Sequence, residues 1–200
     1  MKLIAAKKIL GANDQLAAEN RRQLDAAGVF GINIVGSPGC GKTTLLEALL
    51  VRLKGRFEPA VIEGDIAGSI DAERIEALAV PVVQINTQGA CHLDANMIAA
   101  ALGDLDLPAL KVLFVENVGN LGCTAGYDLG ERLRVVVLSV PEGDDKIAKY
   151  PAIFQGSQAM VITKIDLAPH TNFNPDRAIG DLSRRPFPRL DARAGRAAAA

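Results

Sequence analysis

An α/β fold, with a mostly parallel central sheet covered by helices on both faces, is predicted by three features of these 200 residues. Short apolar runs alternate along the chain with segments of helical periodicity. The runs lack the apolar–polar alternation of a sheet with one wet face, so they read as strands buried on both sides. A glycine-rich turn, GSPGCGKT at 36–43, joins the first run directly to a helix. With 49% hydrophobic and 22% charged residues, the chain has the balance of an ordinary globular protein built around one core. A chain of this length buries roughly 70% of its unfolded surface and needs no disulfide or metal staple. Disordered, collagen-like and cystine-rich classes are excluded. Twenty-two Lys and Arg against 23 Asp and Glu give a net charge of −1, so no global field draws nucleic acid or an anionic membrane.

The elements follow in order. Residues 1–28 read as an amino-terminal helical extension. Its helix spans Ile9–Ala27, with Asn13 and Asp14 as start signals and Gly28 as its end, and it is expected to pack on the domain rather than form a partner-binding arm. The domain proper is 29–183. Strands are predicted at Phe30–Val35, Pro59–Ile62, Val80–Ile85, Leu110–Val115, Arg134–Val140 and Ala159–Thr163. Helices are predicted at Thr43–Leu53, Ser69–Leu78 and Cys91–Leu102. Residues 184–200, with Arg184, Arg185, Arg189, Arg193 and Arg196 among prolines and alanines, read as a poorly ordered, solvated tail. The apolar run in MKLIAAKKIL is too short for a signal peptide, and no stretch is long enough to span a membrane. Three widely spaced cysteines suit a reducing compartment, so a cytoplasmic location is expected.

Gly36 to Thr43 fits G-x-x-x-x-G-K-[ST] without mismatch, after a predicted strand and before a predicted helix. This is the pattern of a P-loop NTPase. Gly36, Gly39 and Gly41 let backbone N–H groups turn toward phosphate oxygens, and the helix amino terminus adds partial positive charge. Lys42 would reach the β- and γ-phosphates, the Thr43 hydroxyl would bind Mg²⁺, and Thr44 completes the turn. Cys40 reads as a small space-filling residue of the loop rather than a redox group. Farther on, TKID at 163–166 resembles the N-K-x-D base-recognition element of GTPases. Asp166 would accept from guanine donors that adenine lacks, and the Lys164 stem would cover the ring. Thr163 stands where Asn is usual, so its supporting hydrogen bond differs.

Magnesium and the γ-phosphate call for carboxylates at strand ends. Asp65 and Asp71 in VIEGDIAGSIDAERI, and Glu116 in LFVENVGN, are the candidates beside Thr43. Asp71 reads equally well as a helix cap. Glu116 and Gly119 form E-x-x-G where most GTPases carry D-x-x-G. Asn120 occupies the place of a water-orienting Gln, so slow intrinsic hydrolysis is expected.

Cys91 and His92 open a predicted helix, where a terminus favours the thiolate and suits a soft or borderline divalent metal. Cys123 follows Gly119 by four residues. Cys, His and Cys are one ligand short of a closed tetrahedral zinc site, to be completed by water, by Asp94 or by a second subunit. From the residues alone, simple packing of Cys91 and His92 is favoured over a metal site, because buried cysteines are common. A Cys–His nucleophile is disfavoured because neighbouring helical residues face different ways.

Taken together, NDQLAAENRRQLDAAGVFGINIVGSPGCGKTTLLE, VIEGDIAGSIDAERI, QINTQGACHLDANM, LFVENVGNLGC and VVLSVPEGDDKIAKYP resemble the hydrogenase nickel-incorporation GTPases, SIMIBI-class P-loop metallochaperones. The resemblance runs from about Asn13 to Asp166 and is carried most specifically by CHLDA and EGDDK–KYP. It implies that Cys91, His92 and Cys123 hold nickel or zinc at a nucleotide-dependent homodimer interface. It further implies GTP-driven dimerisation, metal capture, and hand-over to a hydrogenase maturation chaperone or the hydrogenase large subunit. Neither nucleic acid nor membrane is an expected partner. The chain shows no amino-terminal Cys motif and no His-rich stretch, so a high-affinity storage role is not expected. LDARAG at 190–195 matches the family's late base-contact segment only loosely, with Asp191 for Ser, and GRAAAA replaces a closing helix. The expected consequence is weaker folding or base binding. Three alternatives stand beside this reading. A urease-type nickel accessory GTPase would carry a Cys-Pro-His segment, absent here. A small-molecule P-loop kinase or ATPase would prefer adenine. A hydrolysis-deficient metal carrier would show no turnover.

Overall fold

In the computed structural model, which describes residues 6–66 and 68–183, six strands form one sheet in the order β3-β2-β4-β1-β5-β6. They are β1 (Phe30–Gly36), β2 (Pro59–Asp65), β3 (Val82–Asn86), β4 (Val112–Glu116), β5 (Leu133–Ser139) and β6 (Ala159–Thr163). Every pairing between them is parallel, so the fold class stands and the sheet is more regular than the "mostly parallel" expectation. Parallel neighbours need crossover connections, and these place helices on both faces.

Alternation along each strand assigns the faces. Val61, Phe114, Ile34 and Val137 point to one side, against Leu46 and Leu50 of α2 (Lys42–Leu53) and Ile75 of α3 (Ile70–Glu76). Ala60, Ile62, Leu113 and Val115 point to the other. There they meet Leu24 of α1 (Ala6–Ala27) and Ile98 and Leu102 of α4 (Ala95–Leu102). Val35, Val136 and Leu138 extend that second face. They pack with Ile147 of α5 (Lys146–Lys149), Ile153 and Phe154 of α6 (Pro151–Gln155) and Ala178 of α7 (Pro175–Ser183).

Two expectations need correction. Asn13 is not a helix start: it lies inside α1, buried, accepting from Ala95 N–H at 2.9 Å and donating to Asp128 O at 2.8 Å. Asn20 likewise donates to the carbonyls of Ala95 and Leu129. The amino-terminal helix is thus hydrogen-bonded to the start of α4 and to the loop before β5. The second correction concerns the helix expected over Cys91–Leu102, which begins only at Ala95. Asp94 is its N-cap, accepting from Met97 N–H at 2.8 Å, a bond that ends the preceding loop and starts the helix. Strands β2 and β4 run farther than expected, so Asp65 and Glu116 close them rather than follow them. The Arg-rich tail at 184–200, with Asp191, lies outside the described residues.

Candidate functional site

A cleft of about 460 Å³ opens at the carboxyl ends of β1, β2 and β4, where α/β sheets place their ligands. The P-loop forms one wall. Gly41 has φ 95°, a left-handed conformation that favours glycine, and it turns the loop into the first residue of α2. Lys42 is buried, and its ammonium donates to the carbonyls of Gly36 at 3.5 Å and Ser37 at 3.3 Å. These are long bonds, and a phosphate oxygen would be a stronger acceptor. Gly39, Thr43 and Thr44 also line the cleft. Gly36 and Cys40 lie beneath it. Cys40 is fully buried among Ile34, Leu46 and Val137, and burial pushes its thiol up, which fits the space-filling reading.

The opposite wall is acidic. Glu63 and Glu116 are register partners on adjacent parallel strands, so their side chains share a face. It is the face that buries Val61 and Phe114 under α2; two residues farther along each strand the apolar pair becomes a carboxyl pair. The Thr43 hydroxyl donates to Glu116 Oε1 at 2.7 Å, while Glu116 Oε2 is buried without a hydrogen-bond partner. Burial pushes the Glu116 carboxyl up, opposed by the Thr43 bond and by Lys42. Glu63 is 2% exposed, its Oε2 also lacks a partner, and burial together with the facing Glu116 charge raises its pKa to about 8. Two buried carboxyls with free oxygens, beside a hydroxyl and a lysine, fit a hard divalent ion bound with a nucleotide phosphate.

Asp65 and Asp71 line the same cleft but are partly engaged. Asp65 accepts from the N–H groups of Ile66 at 2.6 Å and Gly68 at 2.9 Å. Asp71 lies within α3, whose N-cap is Ser69, so it is not the cap; it pairs with Arg74, which also binds Glu47.

The base-recognition segment reaches back to the P-loop. Thr163 donates from its hydroxyl to Cys40 O at 2.6 Å, and Lys164 Nζ donates to Gly39 O at 2.7 Å. Asp166 is exposed in the short helix Ile165–His170 and does not line the cleft.

Gly119 packs the loop after β4 against the P-loop: a Cβ there would lie 2.8 Å from Pro38 Cα. Beside it, Asn120 donates from its backbone to Gly36 O at 3.0 Å. Its side-chain oxygen accepts from Gly122 N–H at 2.7 Å and Cys123 N–H at 2.9 Å. The Asn120 side chain is therefore committed to building the turn that carries Cys123.

Cys91 and His92 occupy the loop between β3 and α4, not a helix terminus, so the expected helical influence on the thiol is withdrawn. Cys91 Sγ lies 3.8 Å from His92 Nδ1, close to the spacing of about 3.5 Å between S and N ligands on a tetrahedral ion. His92 stacks on Tyr127 with ring centroids 3.9 Å apart, and burial lowers its pKa, favouring the neutral imidazole that binds metals. The half-buried Cys123 thiol is pushed up, chiefly by the neighbouring Cys91 side chain. Cys91 is thus within reach of His92 and close enough to Cys123 to shift its thiol, yet among the described residues no three His, Cys, Asp or Glu side chains form a metal cluster. Asp94 uses Oδ1 to cap α4.

Two buried residues escaped the sequence reading. Glu63 had a signal, a carboxylate at an inward position of an otherwise apolar strand. Asn117 had none, because its importance lies in contacts. Its Oδ1 accepts from Leu93 N–H at 3.1 Å and Val118 N–H at 2.9 Å, and its Nδ2 donates to Asn33 Oδ1 at 3.4 Å. It ties the strand end that carries Glu116 to the residue after His92.

Comparison with known proteins matches residues 30–184 to the nucleotide-binding domain described as CobW/HypB/UreG. The hydrogenase maturation factor HypB of Rhizobium leguminosarum bv. viciae is 49% identical over 178 residues, 89% of this chain. The chain spans 60% of that relative's length. Among solved structures, HypB from Helicobacter pylori in complex with nickel superimposes with a TM-score of 0.84 at 40% identity, covering 88% of this chain and 83% of that one. The hydrogenase maturation factor HypB from Archaeoglobus fulgidus gives 0.82 at 36% identity, covering 90% and 88%. No helix among the described residues is long and apolar enough to cross a membrane.

Proposed function

The chain belongs to the CobW/HypB/UreG nucleotide-binding family, and on that premise we propose that it is a GTPase that couples slow GTP hydrolysis to the handling of nickel, or zinc, in nickel–iron hydrogenase maturation. The observation that carries this reading is the shared segment Glu116–Cys123. It ends in a thiol at one side and begins with a cleft carboxylate at the other, with Gly119 against the P-loop between them.

The roles follow from the contacts. Lys42 exchanges two long carbonyl bonds for the β- and γ-phosphates. The backbone of Gly36, Gly39, Cys40 and Gly41 cradles them, with Thr44 at the rim. Magnesium, when bound, neutralises charge on the phosphoryl oxygens. Thr43 and Glu116 would hold it, with Asp65 and Asp71 at the same cleft. Lys164 and Asp166 serve guanine, and Thr163 fixes their strand to the loop. Gly119 senses the γ-phosphate, because the β4 loop cannot approach Pro38 this closely with any side chain there.

Cys91, His92 and Cys123 hold the cargo metal. Thiolate and imidazole suit nickel and zinc better than magnesium, which keeps the two ion sites chemically distinct. Three donors in one chain leave a place for ligands from a second copy, so a nucleotide- or metal-dependent homodimer is the expected assembly. A maturation chaperone and the hydrogenase large subunit are the expected recipients, in the cytoplasm. The extension expected over 1–28 is described from residue 6 as α1, ahead of the 29–183 GTPase domain; the tail expected at 184–200 lies outside the described residues.

The test is turnover by the purified chain with GTP, ATP as competitor, and molar mass by light scattering with and without GTPγS and nickel. Turnover of GTP unaffected by excess ATP, with a larger particle in the presence of GTPγS or nickel, is expected. ATP preference would point to a kinase or ATPase; binding without turnover would point to a metal carrier.

A further inference from the structure

We propose that Glu63 is a positioning residue of the magnesium–nucleotide site, its free carboxyl oxygen taking a hydrogen bond from water held on the ion beside Glu116. The proposal rests on the nucleotide reading given above and adds to it a residue that neither the P-loop pattern nor the E-x-x-G segment contains.

Three observations carry it. First, Glu63 is almost fully buried and lines the cleft, and burying a carboxyl without a partner is costly unless a ligand completes its shell. Its Oε2 has no hydrogen-bond partner. Second, its position is fixed by strand register. Glu63 lies directly opposite Glu116 on β4 and two residues before Asp65 on the same face of β2, so three carboxyls converge on one end of the sheet. Third, the Glu116 oxygen that does not receive the Thr43 hydroxyl is likewise unpartnered. A facing pair of carboxyls with one free buried oxygen each is an arrangement that only a shared cation, its water or a shared proton can relieve.

Magnesium typically keeps several of its waters and takes one or two carboxylates directly. Glu116, already bonded to Thr43, is the direct candidate; Glu63, one strand away, is placed to accept from a retained water. Such outer-shell partners orient the ion and are worth about 10–100-fold in metal affinity. Lys42 lies close enough to lower both carboxyl pKa values, so the cation and the phosphates are expected to be drawn in together.

The experiment compares binding of a fluorescent, non-hydrolysable GTP analogue in excess Mg²⁺ and in EDTA, for wild type, Glu63→Gln and Glu63→Asp. Thermal unfolding of each variant checks that it is folded. Gln keeps the shape and removes the charge; Asp keeps the charge. The expected result is that Glu63→Gln loses about tenfold of the magnesium-dependent gain in affinity. Its affinity in EDTA stays equal to or above that of wild type, and Glu63→Asp retains more of the gain than Glu63→Gln. A magnesium gain in Glu63→Gln within twofold of wild type would overturn the proposal, as would equal losses in both variants. Wild type that binds the analogue with no magnesium gain, or fails to bind it, would overturn the nucleotide reading itself and this assignment with it.

Discussion

The nucleotide cleft and the thiol corner are built to opposite standards. Around the cleft, Lys42, Thr43, Glu63 and Glu116 are all at most 8% exposed, on strand ends and a helix start fixed by the central sheet. At the corner, Cys91, His92 and Cys123 sit on loops and a short turn, half-buried, and close no metal shell on their own. The cleft groups are gathered by the sheet of a single chain; on the proposed reading the corner would need ligands from a second copy. The difference teaches where regulation can enter. A preorganised cleft gains little from a second subunit, whereas an open shell of three donors is sensitive to any change that brings a partner or moves a ligand. The two are joined by short links: Asn117 holds Leu93, and Asn120 holds both Gly36 and Cys123.

The largest effect that can break this contrast is at the cleft. Lys42→Ala is expected to lower GTP hydrolysis by about 100-fold or more, because it removes the charge aimed at the transferring phosphoryl group. Steady-state phosphate release measures it, and hydrolysis near wild-type rates would show that the cleft is not the reaction site. Next comes the corner. Cys91→Ala takes away the thiol beside His92, so nickel affinity by titration should fall by about tenfold or more while GTP affinity stays within twofold. Equal loss of both would mean that the corner supports the fold rather than a metal.

The links give the third effect. Asn117→Ala leaves the N–H groups of Leu93 and Val118 without their acceptor, at about 1–3 kcal/mol for each buried group left unpaired. Urea unfolding should register that loss, and nickel affinity should drop more than GTP affinity. The smallest effect sharpens the view of the cleft. Glu63 has its folded pKa raised from 4.5 to about 8. Its contribution to stability is therefore full below pH 4.5 and is lost as pH rises through about 8, because the folded state holds a proton that the unfolded state has released. Without nucleotide, the thermal midpoint of wild type should fall more steeply between pH 5 and 9 than that of Glu63→Gln. Parallel curves would remove Glu63 from the account of the cleft.

Much of this was legible in the residues, and the contrast explains what was not. Strands buried on both faces announce themselves as apolar runs, and Gly36–Thr43 encodes its own geometry, so the fold and the phosphate wall could be read directly. The helix expected from Cys91 starts at Ala95 because Asp94 caps it. That capping bond is local but was outweighed by the helical periodicity of the longer stretch. Asn13 looked like a helix start because its amide so often caps; its buried bonds to Ala95 and Asp128 are long-range and leave no local trace. Glu63 and Asn117 were missed for the same reason: strand register and cross-loop contacts decide what a buried polar side chain faces. The segment TKID is a mixed case: Thr163 and Lys164 bond to the P-loop backbone, which four residues of sequence do not announce, while Asp166 does not line the cleft.

The most direct measurement of the central claim is nickel affinity of the wild-type chain, titrated with GDP bound and again with GTPγS bound. If the Glu116–Cys123 segment couples the two sites, affinity should differ between the two states by at least about fivefold, the lower end of typical coupling energies. Identical affinities with both nucleotides would contradict it, and would leave a nucleotide cleft and a thiol corner that share a segment but not a function.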